Sequence, residues 1–96
     1  QLPPEISDTT ERVKFVLAAY NAGLGHIFDA RRLAEKQGAD PNVWTNNVDR
    51  AILNLSDKKH YHDPVVRYGY LRGDETYKFV IEILERAEQY KHLIAD

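Results

Sequence analysis

The stretch Ala18-Ala19-Tyr20-Asn21-Ala22-Gly23 is the most informative part of this 96-residue chain. Apolar residues precede it at helical spacing, which predicts a helix over residues 9–22. Tyr20 brings a large ring with a hydroxyl that needs a partner when it is buried, and Asn21 brings both a donor and an acceptor. Gly23 lets another backbone or a ligand come close. A helix that only has to pack does not need this combination, so the stretch indicates a functional surface.

The rest of the chain is patterned for helices and shows no sustained period of two that would indicate a strand. Residues 1–7 are rich in proline and are expected to be extended. Asp8 and Glu11 have the spacing of a capping box at the start of the first helix. A second helix is predicted over 26–37, and a third runs from Asp40-Pro41 to residue 55. A polar loop is expected at 56–63. Two more helices are predicted, one over 63–68 that starts at Asp63-Pro64 and one over 75–94 that follows the cap Asp74. A start of the third helix after Asn46 and Asn47 is an alternative.

The expected fold is therefore a single all-α domain of four or five helices over residues 1–96. The apolar positions predict the buried faces, which are Ile27, Ala30, Leu33 and Ala34 in the second helix, Trp44, Val48, Ala51, Ile52 and Leu55 in the third, and Phe79, Val80, Ile83, Leu84 and Ala87 in the last. The charged positions Arg31, Arg32, Glu35 and Lys36 are expected to face water. Gly38 is expected in the left-handed position just past a helix end.

Composition excludes several classes of function. The net charge of −2 gives no electrostatic basis for binding nucleic acid, and no apolar run approaches the roughly 20 residues of a membrane span. Without cysteine there is no disulfide and no thiolate metal site. The first residues show no signal peptide, and the absence of methionine favours a fragment of a longer protein.

Two motifs and the stretch between them resemble the lytic transglycosylases, the lysozyme-like enzymes that cleave bacterial peptidoglycan. Residues 11–25 look like the family's third motif, whose signature is Ala-Tyr-Asn-Ala-Gly. Residues 26–32, Trp44 and residues 63–70 are similar to the C-terminal part of the membrane-bound F-type branch. Residues 72–76 with Phe79-Val80 look like the fourth motif, although Phe79 stands where family members usually have tyrosine.

The resemblance implies non-hydrolytic cleavage of the MurNAc-GlcNAc bond, which leaves 1,6-anhydro-MurNAc ends. It also implies that the reaction takes place in the periplasm or at the outer membrane and needs no cofactor or metal. It implies that Tyr20 positions the acid/base glutamate through its hydroxyl. The substrate-binding residues that it implies are Tyr20, Asn21, Ala22, Gly23, Glu75 and Thr76.

The family's acid/base glutamate belongs to a Glu-Ser pair, and a Gly-Leu-Met-Gln stretch lines the groove; neither motif occurs in this sequence. Glu5 and Glu11 lie too close before the signature to replace that glutamate. The chain is therefore expected to be the C-terminal half of a catalytic domain and to be inactive alone. Such a half should expose an apolar face that includes Tyr20 and part of the first helix, which favours self-association.

Other interpretations remain open from the residues alone. One alternative is that the chain is a non-catalytic module that binds peptidoglycan or another protein. His60, His62 and Asp63 suggest a metal site, but the polar loop around them favours solvated side chains. Glu75 is also well placed as a first-turn acid that complements the helix dipole. Trp44 lies at core spacing, while Tyr68 and Tyr70 are open to a sugar-stacking role.

Overall fold

The computed structural model of the chain describes residues 2–95, and the side chains of residues 2–94. Five helices follow one another, namely α1 (Thr9–Ala22), α2 (Leu24–Lys36), α3 (Asp49–Asn54), α4 (Lys58–Tyr61) and α5 (Gly73–Ala95). Residues 2–95 contain no strand, so the predicted all-α class with four or five helices is confirmed.

The first helix has the predicted bounds. The Asp8 carboxylate accepts the N–H of Glu11 at 3.0 Å and so caps α1. At the other end Gly23 takes φ 93, and the N–H of Gly23 donates to the carbonyl of Ala19 at 2.7 Å. Because this left-handed turn ends α1 and leads directly into α2, the second helix begins at Leu24 rather than at the predicted His26.

The core lies among α1, α2, α3 and the first half of α5. Its buried apolar residues are Ile6, Phe15, Ala18, Ile27, Ala30, Leu33, Ala34, Trp44, Val48, Ala51, Ile52, Leu55 and Val80. The predicted inner faces of the second and third helices are thereby confirmed. Within the last helix only Val80 of the predicted stripe is fully buried, and Ala87 is exposed.

The exposure of Ala87 follows from the lengths of the helices. The 14 residues of α1 span about 21 Å at the α-helical rise, whereas the 23 residues of α5 span about 34 Å. Because α5 is longer than its neighbours, the residues from Glu85 to Ile94 are exposed, and the molecule extends over 51 Å along its longest axis.

The third helix begins later than Asp40-Pro41. The Asp40 carboxylate accepts the N–H of Asn42 at 2.9 Å, which makes a local turn instead of a helix cap. Asn46 then takes φ 61, and the N–H of Trp44 donates to Glu11 at 2.8 Å rather than along a helix. Regular helix therefore starts only at Asp49, which agrees with the alternative start after Asn46 and Asn47.

Two predictions between residues 56 and 68 were wrong. The segment expected as loop contains α4, because the Asp57 carboxylate accepts the N–H of Lys59 at 3.1 Å and caps a short helix. The segment expected as helix after Asp63-Pro64 is instead irregular. Its Asp63 carboxylate accepts the N–H of Val65 at 3.0 Å, and the N–H groups of Arg67 and Tyr68 both donate to Asp29.

Three further details differ from the sequence-based expectation. Arg31 and Arg32 are half-buried rather than facing water, because their guanidinium groups donate to the carbonyls of Pro41 and Val65, respectively. The N-terminal segment turns at Pro4 instead of running fully extended, and the Arg12 guanidinium binds its carbonyls. The last helix begins at Gly73, so the predicted cap Asp74 lies inside its first turn.

Candidate functional site

The end of α1 and the start of α5 lie side by side on one surface. The hydroxyl of Thr76 donates to Oδ1 of Asn21 at 2.7 Å, although the two residues are 55 positions apart in the sequence. Thr76 is 1% exposed, so this hydrogen bond is shielded from water. The two motif segments singled out in the sequence are thus joined by a direct contact between two of the candidate residues.

An aromatic pair extends this junction towards solvent. The rings of Tyr20 and Phe79 are stacked, with centroids 6.2 Å apart and planes at 23°. Tyr20 is nevertheless 84% exposed, and Val13 and Val16 on the same helix are exposed as well. The apolar face expected around Tyr20 is therefore present on the described surface, with the Tyr20 ring held from one side by Phe79.

A shallow depression lies beside the Asn21–Thr76 hydrogen bond. It has a volume of ≈ 320 Å³ and is lined by Asn21, Arg72, Asp74, Glu75, Lys78, Phe79 and Glu82. The Glu75 carboxylate lies 3.9 Å from Nη1 of Arg72, and both side chains are mostly exposed. The depression thus presents carboxylates, cations and an amide together, which is a surface suited to a ligand rich in hydroxyl and amide groups.

Gly73 fixes the position of the first turn of α5. A Cβ at this residue would lie 1.9 Å from the carbonyl oxygen of Ile52 and 3.1 Å from Cα of Leu53. Just before it, the N–H of Leu71 donates to the carbonyl of Leu55 at 3.1 Å. Because the backbone of α5 rests directly on the end of α3, the positions of Glu75 and Thr76 are set by the core.

Ala22 and Gly23 contribute differently from Tyr20 and Asn21. Ala22 is half-buried and packs against the core. Gly23 has nothing within 4 Å of an added Cβ, so the residue is required for its φ of 93 rather than for a close approach of the neighbouring chain. Both residues shape the turn that presents Tyr20 and Asn21.

The link before α5 carries a second group of aromatic residues. The ring of Tyr68 lies against Gly25, where a Cβ would come within 3.0 Å of it, and forms an edge contact with His26 at 6.3 Å. Tyr61 and Tyr70 form another edge contact at 5.8 Å. Tyr68 and Tyr70 are 63% and 55% exposed, so both rings are accessible, whereas Trp44 is buried as expected.

The histidines around α4 do not form a metal site with the residues the structure describes. Across that part of the chain no group of three or more His, Asp or Glu side chains could hold a metal ion. His62 packs edge-on against Tyr61 at 4.7 Å, and Asp63 is bound by Lys36 at 2.7 Å.

Two acidic residues hold the scaffold together in ways that sequence reasoning missed: Asp29 was not singled out, and Glu11 was expected only in a capping box. Asp29 is fully buried, and its carboxylate accepts hydrogen bonds from Arg32 and from the N–H groups of Arg67 and Tyr68. The sequence did carry a signal for Asp29, because a residue four positions before the buried Leu33 lies on the buried face of α2. An acid on such a face indicates a carboxylate with several internal donors.

Glu11 links α1 to the irregular segment that precedes α3. Its carboxylate accepts the N–H groups of Trp44 and Thr45, at 2.8 and 2.9 Å, and a hydrogen bond from Lys14. Burial raises the pKa of the Glu11 carboxyl, but the hydrogen bonds from Thr45 and Lys14 outweigh it and leave the pKa below its ordinary value.

Curated relatives match most of the chain. A membrane-bound lytic murein transglycosylase F of Vibrio cholerae is 46% identical over 83 residues, or 86% of this chain, and its Vibrio parahaemolyticus counterpart is 46% identical over 83% of this chain. A protein of the same name from Maricaulis maris is 44% identical over 96% of this chain. The chain spans 15% of the length of the two Vibrio relatives and 19% of the Maricaulis one. No protein family model matches it.

Proposed function

We propose that this chain, which is similar over most of its length to membrane-bound lytic murein transglycosylases F, forms the C-terminal part of a transglycosylase catalytic domain. The observation that carries this proposal is the contact between the two motif segments, in which Thr76 donates to Asn21 at 2.7 Å beside the Tyr20–Phe79 stack. Residues that resemble two separate family motifs thereby share one exposed surface. That surface is the proposed wall of the glycan groove.

The proposed reaction needs a single carboxyl group that changes its protonation state. It first protonates the oxygen of the MurNAc-GlcNAc bond, and it later accepts the proton of the sugar's 6-hydroxyl as the 1,6-anhydro ring closes. Such a group requires a pKa raised by an apolar surrounding and tuned by a hydrogen bond. We assign this group to a glutamate outside the residues of this chain, in the remainder of the catalytic domain.

Tyr20 is the proposed partner of that glutamate. Its ring is 84% exposed and is held by the stack with Phe79, so the hydroxyl is available to a group presented from outside the described surface. Asn21 is oriented by Thr76 and would bind the amide and hydroxyl groups of the sugars. Glu75 lies in the adjacent depression, where it would bind the same glycan strand. Ala22 and Gly23 shape the turn between α1 and α2.

The proposed substrate sets the proposed location. Peptidoglycan lies outside the cytoplasmic membrane, so the protein would act in the periplasm or at the outer membrane. None of the helices that residues 2–95 form is both long and apolar enough to cross a bilayer.

The exposed face formed by Val13, Val16 and Tyr20 would pack against the rest of the catalytic domain, or against a second copy of this chain where that domain is absent.

The proposal is tested with a chimera, because this chain alone is expected to release nothing from peptidoglycan. The 83 matching residues of the Vibrio cholerae relative are replaced by those of this chain. Purified peptidoglycan is incubated with the chimera, with the unaltered relative and with this chain alone, and the products are identified by mass spectrometry. Anhydro-muropeptides are expected from the chimera and from the relative.

A matched pair of variants in the chimera tests the role of Tyr20. Tyr20→Phe keeps the ring and its stack but removes the hydroxyl, and the loss of one hydrogen bond to the acid/base group should lower kcat about tenfold with little change in KM. Tyr20→Ala should also weaken substrate binding. A folded chimera that binds peptidoglycan without releasing anhydro-muropeptides would instead support the non-catalytic binding module.

A further inference from the structure

The aromatic ring of Tyr68 is a surface that the candidate site does not use. Tyr68 is 63% exposed and lies outside the depression beside Asn21. Its backbone is nevertheless fixed, because the N–H of Tyr68 donates to the carboxylate of Asp29 at 2.8 Å and Asp29 is fully buried. The point from which this exposed ring extends is therefore set by the core.

Gly25 holds one face of the Tyr68 ring. A Cβ added at Gly25 would lie 3.0 Å from Cδ2, 3.0 Å from Cε2 and 3.1 Å from Cζ of the ring. An approach in the plane of the ring would bring one carbon clearly closer than its two neighbours, so three nearly equal distances place Gly25 over the face. A side chain at position 25 would push the ring away, and glycine therefore lets the ring lie flat on the start of α2.

The open part of the Tyr68 ring is consequently its opposite face, and a polar group stands beside it. The ring of His26 forms an edge contact with Tyr68, with centroids 6.3 Å apart and planes at 65°. Nδ1 of His26 is buried without a hydrogen bond, whereas Nε2, which has no partner among residues 2–95 either, is not buried. Nε2 is therefore available for a hydrogen bond with a ligand.

This combination matches the chemistry of a sugar ring. One face of a hexose consists of C–H groups, and its rim carries hydroxyl and amide groups. The C–H face removes apolar surface from water when it lies on a flat aromatic ring, and the rim can bond to His26. The isolated methyl groups of a peptide cover much less of such a ring.

The platform is within reach of a strand bound at the candidate site. Gly25 follows Tyr20 by five residues, and five residues span at most about 18 Å even when extended. A single oligosaccharide of a few sugars can therefore contact both tyrosines.

We propose that the open face of Tyr68 stacks on a hexose of the glycan strand, at a different sugar unit from the one that contacts Tyr20. Nε2 of His26 bonds the polar groups of that hexose. This inference rests on the proposed function, because it takes the same strand as the ligand. Tyr68 holds the strand and takes no part in the chemistry.

The experiment titrates the ¹⁵N-labelled chain with a peptide-free tetrasaccharide of alternating GlcNAc and MurNAc. Saturable shifts of amide resonances are expected at Gly25, His26 and Gly69 in addition to those at Asn21 and Thr76. The dissociation constant is then measured for variants of the chain in the same titration.

A set of tyrosine variants separates stacking from other roles. Tyr68→Ala should weaken binding about fivefold, because the contact with one ring face is lost, whereas Tyr68→Phe keeps the ring and should bind almost as the wild type does. Tyr90→Ala is the matched control. Tyr90 is also 63% exposed, but it lies on the part of α5 that extends beyond the core, so its loss should leave the affinity unchanged.

A measurement on the unmodified chain covers the case in which Tyr68→Ala does not fold. Ring currents should shift the C–H protons of one bound hexose upfield, and intermolecular NOEs should join those protons to the ring protons of Tyr68. The free stem dipeptide L-Ala-D-Glu should show neither effect.

The outcomes separate this inference from the proposed function. Binding that is weakened by Tyr20→Ala but not by Tyr68→Ala, equal losses in Tyr68→Ala and Tyr90→Ala, or the absence of NOEs to Tyr68 would overturn the stacking platform alone. Shifts at Gly25 and His26 without any at Asn21 and Thr76 would support the platform and count against the proposed function. The absence of any saturable shift would overturn both.

Discussion

Substituting Gly73 by alanine should disturb both the stability of the chain and the candidate site. The added Cβ would lie 1.9 Å from the carbonyl oxygen of Ile52 and 2.7 Å from its carbonyl carbon, and both are backbone atoms that cannot rotate away. Ordinary contact begins at 3.4 Å, so the start of α5 must move by about 1.5 Å relative to α3. Thr76 lies three residues further on, so its 2.7 Å hydrogen bond to Asn21 should lengthen.

The expected loss of stability is about 3 kcal/mol, at the upper end of the usual range for overpacking a well-packed contact. Urea unfolding followed by circular dichroism measures it. With a slope of about 1.5 kcal/mol per molar urea, the midpoint should fall by about 2 M. The ¹⁵N spectrum of the folded variant should also show displaced amide resonances for Asn21 and Thr76.

Gly38→Ala is the matched control for this prediction. Gly38 has φ 85 and nothing within 4 Å of an added Cβ, so the substitution introduces backbone strain without a clash. It should destabilise the chain by about 1–2 kcal/mol and leave the Asn21 and Thr76 resonances in place. Equal losses for the two variants, or a Gly73→Ala loss below about 0.5 kcal/mol, would refute the idea that α5 rests on α3 through this glycine.

Four further variants test the contacts that hold the scaffold. Thr76→Val and Asn21→Ala, combined in a double-mutant cycle of unfolding free energies, should show a coupling of about 1 kcal/mol; additive effects would argue against the hydrogen bond. Asp29→Ala should lower the unfolding free energy by about 4 kcal/mol, because it leaves an arginine and two backbone N–H groups without their buried acceptor. Since the folded-state pKa of Glu11 is below its ordinary value of 4.5, its stabilisation is present above that pH and is lost as the pH falls through the folded pKa. The stability difference between the wild-type chain and Glu11→Gln should therefore be larger at pH 7 than at pH 3, and an equal difference at both would contradict the assignment.

The sequence predicted those elements whose signals are local. Asp8 and Gly23 bound α1, and the apolar spacing of Ile27, Ala30 and Leu33 marked the buried face of α2. In such elements the backbone groups find partners within a few residues, so propensity, capping and periodicity agree with the tertiary fold.

The predictions failed where backbone N–H groups find distant acceptors. Trp44 and Thr45 donate to Glu11, more than 30 positions away, and Arg67 and Tyr68 donate to Asp29. These long-range hydrogen bonds replace the helices that Asp40-Pro41 and Asp63-Pro64 suggested. A local pattern cannot show which of several possible acceptors a backbone group will use.

The sequence named candidate site residues but not the contacts among them. The resemblance singled out Tyr20, Asn21, Glu75 and Thr76, whereas the Asn21–Thr76 hydrogen bond and the Tyr20–Phe79 stack depend on how α1 packs against α5.

The most direct test of the central claim is to map where this chain binds a peptidoglycan fragment. A tetrasaccharide muropeptide is titrated into the ¹⁵N-labelled chain, and the shifts of the amide resonances are followed to millimolar concentration. Shifts should concentrate at Tyr20, Asn21, Glu75 and Thr76, should spare α4, and should weaken in Tyr20→Ala. Shifts centred on α4, or none at all, would contradict the claim that the end of α1 and the start of α5 form a wall of the glycan groove.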